Sequence, residues 1–97
     1  MAALGAAPIP LPVETVYVNY FGGIDDAKVK SLMAICADII AKQKPKRIYF
    51  LFSSQGGGVN AGITLHNFLT ALPVEIVMHN VGSVESIANV IFLAGAK

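Results

Sequence analysis

A chain of 97 residues fits one domain rather than two, and its 55% hydrophobic and 13% charged shares exclude a disordered chain. A net charge of +1 leaves no basic field for a nucleic-acid backbone. One cysteine and two widely separated histidines make neither a disulfide scaffold nor a zinc site, so no metal or cofactor is expected and a reducing, cytoplasmic location is.

Residues 1–14 read as a loose or partner-bound arm ahead of a domain at 15–97. The arm is apolar up to Val13, but Pro8, Pro10 and Pro12 oppose the helical core of a secretory signal. Thr15 to Phe21 alternates and is rich in Val and Tyr, which predicts a strand that Gly22-Gly23 ends. Asp25 is then a helix N-cap, Asp26 favours the positive helix end, and Ile24 and Val29 occupy the staple positions. Val29, Leu32, Met33, Cys36 and Ile40 share one face of this helix, which makes Cys36 a small core residue; Pro45 stops the helix. Lys42, Lys44, Lys46 and Arg47 form a solvated helix end rather than an anion site.

Ile48-Tyr49-Phe50-Leu51-Phe52 is a continuous apolar run, the pattern of a buried parallel strand. The uncharged stretch from Ile48 to Val74 is long enough to span a bilayer, but Ser53-Ser54-Gln55-Gly56-Gly57-Gly58 divides it into strand, loop and helix, so no membrane span is expected. The helix runs from about Val59 to Ala71 and Pro73 breaks it. Val74 to Val81 predicts a third strand ended by Gly82. Ser86 to Ala96 predicts a third helix, apolar nearly all round and therefore buried on every side. The result is an α/β fold of three successive βα units with a parallel sheet and right-handed crossovers.

Charge is unevenly placed. Ten of the thirteen charged residues precede Ile48, and after it come Glu75, Glu85 and Lys97 alone. So little charge cannot cover a monomer's surface in the usual way, which calls for further chain or neighbouring subunits over that half.

The glycines locate the working edge. Gly22, Gly23, Gly56, Gly57, Gly58 and Gly82 all follow the carboxyl ends of strands, where open α/β sheets bind ligands. Three chemistries use such a loop. A phosphate-binding loop has the spacing Gly57 to Gly62, but Ile63 occupies the lysine position. A dinucleotide site matches Gly56, Gly58 and Ala61, yet His79 and Asn80 replace the acid expected on the next strand, and Glu75 lies at that strand's wrong end. An oxyanion hole needs a nucleophile nearby, and Ser86 follows Gly82 at the start of the third helix, with the Ile87 amide next to it. The ordinary alternative for Ser86 is a helix N-cap, which spacing alone favours.

Ser54-Gln55-Gly56-Gly57 with Ala61-Gly62, then Gly82-Ser83-Val84-Glu85-Ser86 leading into Phe92-Leu93-Ala94-Gly95-Ala96-Lys97, resembles the Clp protease proteolytic subunit family over roughly residues 15 to 97. Gly22-Gly23-Ile24-Asp25-Asp26 is similar to the family's lead into its first helix. The resemblance implies part of a crotonase-like spiral fold and a self-compartmentalising serine endopeptidase. Ser86 would be the nucleophile, and the amides of Gly57 and Ile87 the oxyanion hole. The loop at Gly56, Gly58 and Val59 would bind a peptide or protein substrate as an added strand. Copies of the chain would stack as a ring fed by an ATP-dependent unfoldase.

Three departures accompany it. Gln55 replaces the family's proline, and Glu85 places a carboxylate where the family has a small residue. The family's histidine and aspartate lie beyond Lys97. His66, on a polar helix face, and His79, seven residues before Ser86, match neither, so hydrolysis by these 97 residues alone is not expected. The competing expectations are a non-catalytic ring or regulatory subunit and a small dinucleotide-binding module.

Overall fold

The computed structural model describes residues 14–95. The arm at 1–14 therefore lies outside the described residues except for Glu14, as do Ala96 and Lys97. Strand β1 (Thr15–Phe21), helix α1 (Asp26–Gln43), strand β2 (Arg47–Ser54), helix α2 (Val59–Ala71) and strand β3 (Glu75–Val84) alternate in chain order. A short helix α3 (Ala88–Phe92) and a 3-10 turn (Leu93–Gly95) follow. The strands form a parallel sheet in the order β1-β2-β3, with Thr15 opposite Arg47 and Arg47 opposite Glu75. This is the α/β arrangement of βα units predicted from the alternation.

Local chemistry explains the first crossover. Asp25 caps α1 by accepting the Lys28 amide at 2.8 Å, and Lys44 closes the helix in the left-handed conformation just before Pro45. The cations at this end are solvated and paired: Lys42 with Asp38, Lys46 with Glu14 and Arg47 with Glu75. Such exposed pairs are worth at most about 1 kcal/mol each.

One sheet face makes the core. Ile48, Phe50 and Phe52 of β2 are all but inaccessible and pack with Val29, Leu32, Cys36 and Ile39 of α1 and Leu65 and Leu69 of α2. Burial of each large side chain contributes roughly 1.5–3 kcal/mol, which makes this face the main source of stability. The opposite face carries Tyr17, Tyr49, Leu51, His79 and Val81. Among the described residues nothing packs over Tyr17, Phe21 or Val81, which remain 62%, 81% and 56% exposed.

The carboxyl end of the third unit differs from expectation. Strand β3 runs through Gly82 to Val84 because the ladder slips between Phe52 and Ser54: Phe52 pairs with Asn80, whereas Ser54 pairs with Val84. Helix α3 is five residues long and starts at Ala88 rather than Ser86. Nor is it buried all round: Ala88, Ile91 and Ala94 face the core, while Asn89 and Leu93 face outward. An apolar composition allowed burial on every side, but these layers offer only one side to pack against.

Candidate active site

The site grows from the end of β2. The buried Ser54 hydroxyl accepts the Gly56 amide at 3.1 Å, a serine turn that bends the chain straight out of the strand. The Ser54 carbonyl accepts the Glu85 amide at 3.0 Å, which ties the same turn to the segment ahead of Ser86. Ile24, just past β1, completes the frame by forming an isolated parallel bridge with Gly57.

Two glycines are required by this arrangement. Gly56 has φ +105°, and a β-carbon on it would stand 2.8 Å from the Ser86 β-carbon and 3.3 Å from its hydroxyl oxygen. The Ser86 side chain therefore lies directly over the face that Gly56 leaves open. Gly57 has φ +152°, and a β-carbon there would collide with the Ile24 carbonyl.

Ser86 is not a helix N-cap. It has φ +55°, uncommon outside glycine, and the residue at the helix boundary is Ile87, with no side-chain capping bond. Backbone bonds on either side hold this conformation: Glu85 C=O accepts the Ala88 amide at 3.0 Å, and Ser86 C=O accepts the Asn89 amide at 3.0 Å and the Asn89 side chain at 3.1 Å. Strain of this kind costs on the order of 1–3 kcal/mol and persists where surrounding structure over-determines it. The turn leaves the Ser86 side chain exposed at the sheet edge.

The nearby donors divide into used and unused. The amides of Gly56, Gly58 and Ala88 are all taken. Those of Gly57 and Ile87 donate to no acceptor among the described residues. Each is the amide immediately after one of the two residues in contact, Gly56 and Ser86. Five residues of α3 supply little dipole, so positive potential at this edge comes from these individual amides rather than from the helix expected at Ser86.

The loop at Gly56, Gly58 and Val59 is two-sided. Ile24 already occupies the Gly56 carbonyl and the Gly58 amide, at 2.9 and 2.8 Å. Gly57 keeps both its amide and its carbonyl unpartnered among the described residues. Val59 begins α2 and is 59% exposed.

Glu85 does not lie free beside Ser86. Its carboxylate accepts the Ser83 hydroxyl, two residues back. Neither histidine hydrogen-bonds Ser86: His66 Nδ1 contacts the Asn67 side chain at 3.3 Å, and His79 Nδ1 meets the Tyr49 hydroxyl at 2.7 Å on the uncovered sheet face. His79 lies five residues before the end of β3, about 16–17 Å at 3.3 Å per strand residue. Glu75 is at the amino end of that strand, hydrogen-bonded to Arg47 at 2.9 Å, on the side of the sheet away from the glycine loop.

Two buried groups support the framework. The Tyr20 hydroxyl donates to the Gly23 carbonyl at 2.7 Å; burial, then the negative charge of Asp25, pushes its pKa up to about 12. Burial alone pushes the Cys36 thiol up to about 11, so it stays protonated and unreactive as the core position predicted. The sequence makes Ile24 a helix staple and Ser54 and Ser83 motif positions, but gives none of them, nor Asn89, a role in the site. Only Ser54 left a signal there, a serine two residues before a glycine.

Comparison with known proteins agrees with the fold. The family model for Clp protease matches residues 13–97. An ATP-dependent Clp protease proteolytic subunit from Oltmannsiellopsis viridis is 26% identical over 74 residues, covering 76% of this chain and 38% of the relative. ClpP1 from Listeria monocytogenes superposes with a TM-score of 0.73 at 25% identity, over 82% of this chain and 45% of that one. A point mutant of the same ClpP1 gives 0.73 at 25% identity, over 84% and 46%. The chain thus spans less than half the length of each of these relatives.

Proposed function

The chain belongs to the Clp protease family, and from that premise we propose that it is the portion of a serine endopeptidase subunit that carries the nucleophile and the oxyanion donors. The observation that carries this reading is the Ser86 side chain set against Gly56, with unpaired amides at Gly57 and Ile87. In the proposed step the Ser86 oxygen bonds to a peptide carbonyl carbon, the π pair moves onto the carbonyl oxygen, and the two amides take up that charge. The hydroxyl proton must pass to a base. Because His66 and His79 are both engaged elsewhere, that base and its aspartate come from outside these 97 residues, and these residues alone are inert toward peptide bonds. The free edge of Gly57 pairs with the substrate backbone, with Gly56, Gly58 and Val59 shaping the loop.

The bare sheet face and the sparse charge after Ile48 support assembly with further copies in a ring. Family membership supports the supply of extended polypeptide by an ATP-dependent unfoldase, and the lone cysteine supports a reducing, cytoplasmic location. A second reading, a non-catalytic ring or regulatory subunit, is favoured by one feature: the Glu85 carboxylate next to the nucleophile position.

A fluorophosphonate probe applied to the longest natural form of the protein separates the two. Labelling lost in Ser86→Ala supports the peptidase. Absence of labelling in an assembled ring supports the non-catalytic subunit. Labelling that survives Ser86→Ala removes Ser86 from the mechanism.

A further inference from the structure

A cavity of about 430 Å³ is lined by Phe21, Gly22, Ser53, Ser54, Gln55, Gly82 and Ser83, and one of these, Ser54, accepts through its carbonyl the amide of Glu85, the residue before the proposed nucleophile. Its position follows from the slip between β2 and β3, where the extra residues of β3 swing out and the Ser53 hydroxyl accepts the Ser83 amide at 3.0 Å. Ser54 and Gln55 form its wall on the side of Gly56, against which Ser86 rests.

The charge beside the recess is specific. Ser83 lines the cavity and its hydroxyl donates to the Glu85 carboxylate, so that carboxylate lies one hydrogen bond from the cavity wall. Glu14, Asp38 and Glu75 each have a cationic partner, whereas Glu85 has a neutral hydroxyl and no ion pair among the described residues. From Ile48 to Gly95 the only other charged residue is Glu75, at the far end of β3 and already paired. The cavity lining itself carries no charge. At the opposite wall the Lys28 ammonium donates to the Phe21 carbonyl at 2.7 Å, so Glu85 supplies the negative charge on the Ser83 side of the recess and Lys28 the positive charge on the Phe21 side.

We infer that Glu85 makes this site select peptides with a lysine or arginine side chain next to the bond held at Ser86, the cation meeting the Glu85 carboxylate at the mouth of the recess. The inference rests on the peptide-binding reading above. Ser83 orients the carboxylate without neutralising it, which leaves the charge available to a substrate.

The test uses the longest natural form of the protein carrying Ser86→Ala, so that bound peptide is not turned over. Three fluorescein-labelled peptides, identical except for a central lysine, norleucine or glutamate, are titrated by fluorescence anisotropy. The lysine peptide is expected to bind about threefold to fivefold more tightly than the norleucine one, the range of an exposed ion pair. That ratio should shrink with added salt and fall to about one in Glu85→Gln. Glu85→Lys should transfer the preference to the glutamate peptide. Equal binding of all three, or a lysine preference that persists in Glu85→Gln, overturns the inference and leaves the peptide-binding reading intact. Failure of every peptide to bind overturns that reading and the inference with it.

Discussion

Ile24 bridges Gly57 from both sides, its amide donating to the Gly56 carbonyl at 2.9 Å and its carbonyl accepting the Gly58 amide at 2.8 Å. A residue of the first βα unit thereby sets the shape of a loop in the second. The bridge uses the groups on one side of the loop and directs those of Gly57 to the other. The proposed oxyanion donor is thus oriented by a contact 33 positions away in sequence, 57 minus 24.

That bridge makes neighbouring glycines unequal. Gly57→Ala forces a β-carbon against the Ile24 carbonyl at φ +152°, and should cost at least about 1–3 kcal/mol while abolishing probe labelling at Ser86. Gly58→Ala meets its nearest atoms at 3.7 Å from an ordinary backbone conformation, and should cost less than about 1 kcal/mol with labelling retained. Urea denaturation and fluorophosphonate labelling of the two variants side by side measure the difference. Equal effects would mean that the bridge does not shape the site.

Ser54→Ala isolates the turn. Its hydroxyl is buried and holds the Gly56 amide, so deletion leaves a buried donor without its partner at a cost of about 1–3 kcal/mol. Because Gly56 is the surface on which Ser86 rests, labelling should slow as well. A variant as stable and as reactive as the parent would remove Ser54 from the framework.

Alkaline pH should unfold the protein in a defined window. Tyr20 is raised from the ordinary 10.0 to about 12, and Cys36 from 9.0 to about 11. Both groups are held neutral in the folded state, so the folded chain retains protons that the unfolded one releases. The stability they contribute is fully present below pH 9 and is lost as pH rises to about 12. Denaturation midpoints measured from pH 8 to 11.5 should fall. Cys36→Ala should flatten the part of the fall between pH 9 and 11, and a pH-independent midpoint would contradict both shifts.

The sequence by itself determined the three βα units, the core stripe of α1, the Asp25 cap and the placing of glycines at one sheet edge. These follow from apolar periodicity, turn residues and caps, which act between residues a few positions apart. The same spacing placed Ser86 at the start of a helix and ended β3 at Gly82. Only the tertiary structure set Ser86 at φ +55° against Gly56, carried β3 on to Val84, and joined Ile24 to Gly57. The physical reason is that the ladder slip and the bridge are settled by pairing between separate strands and loops. A periodic pattern along one segment carries no information about which distant backbone group will accept its hydrogen bonds.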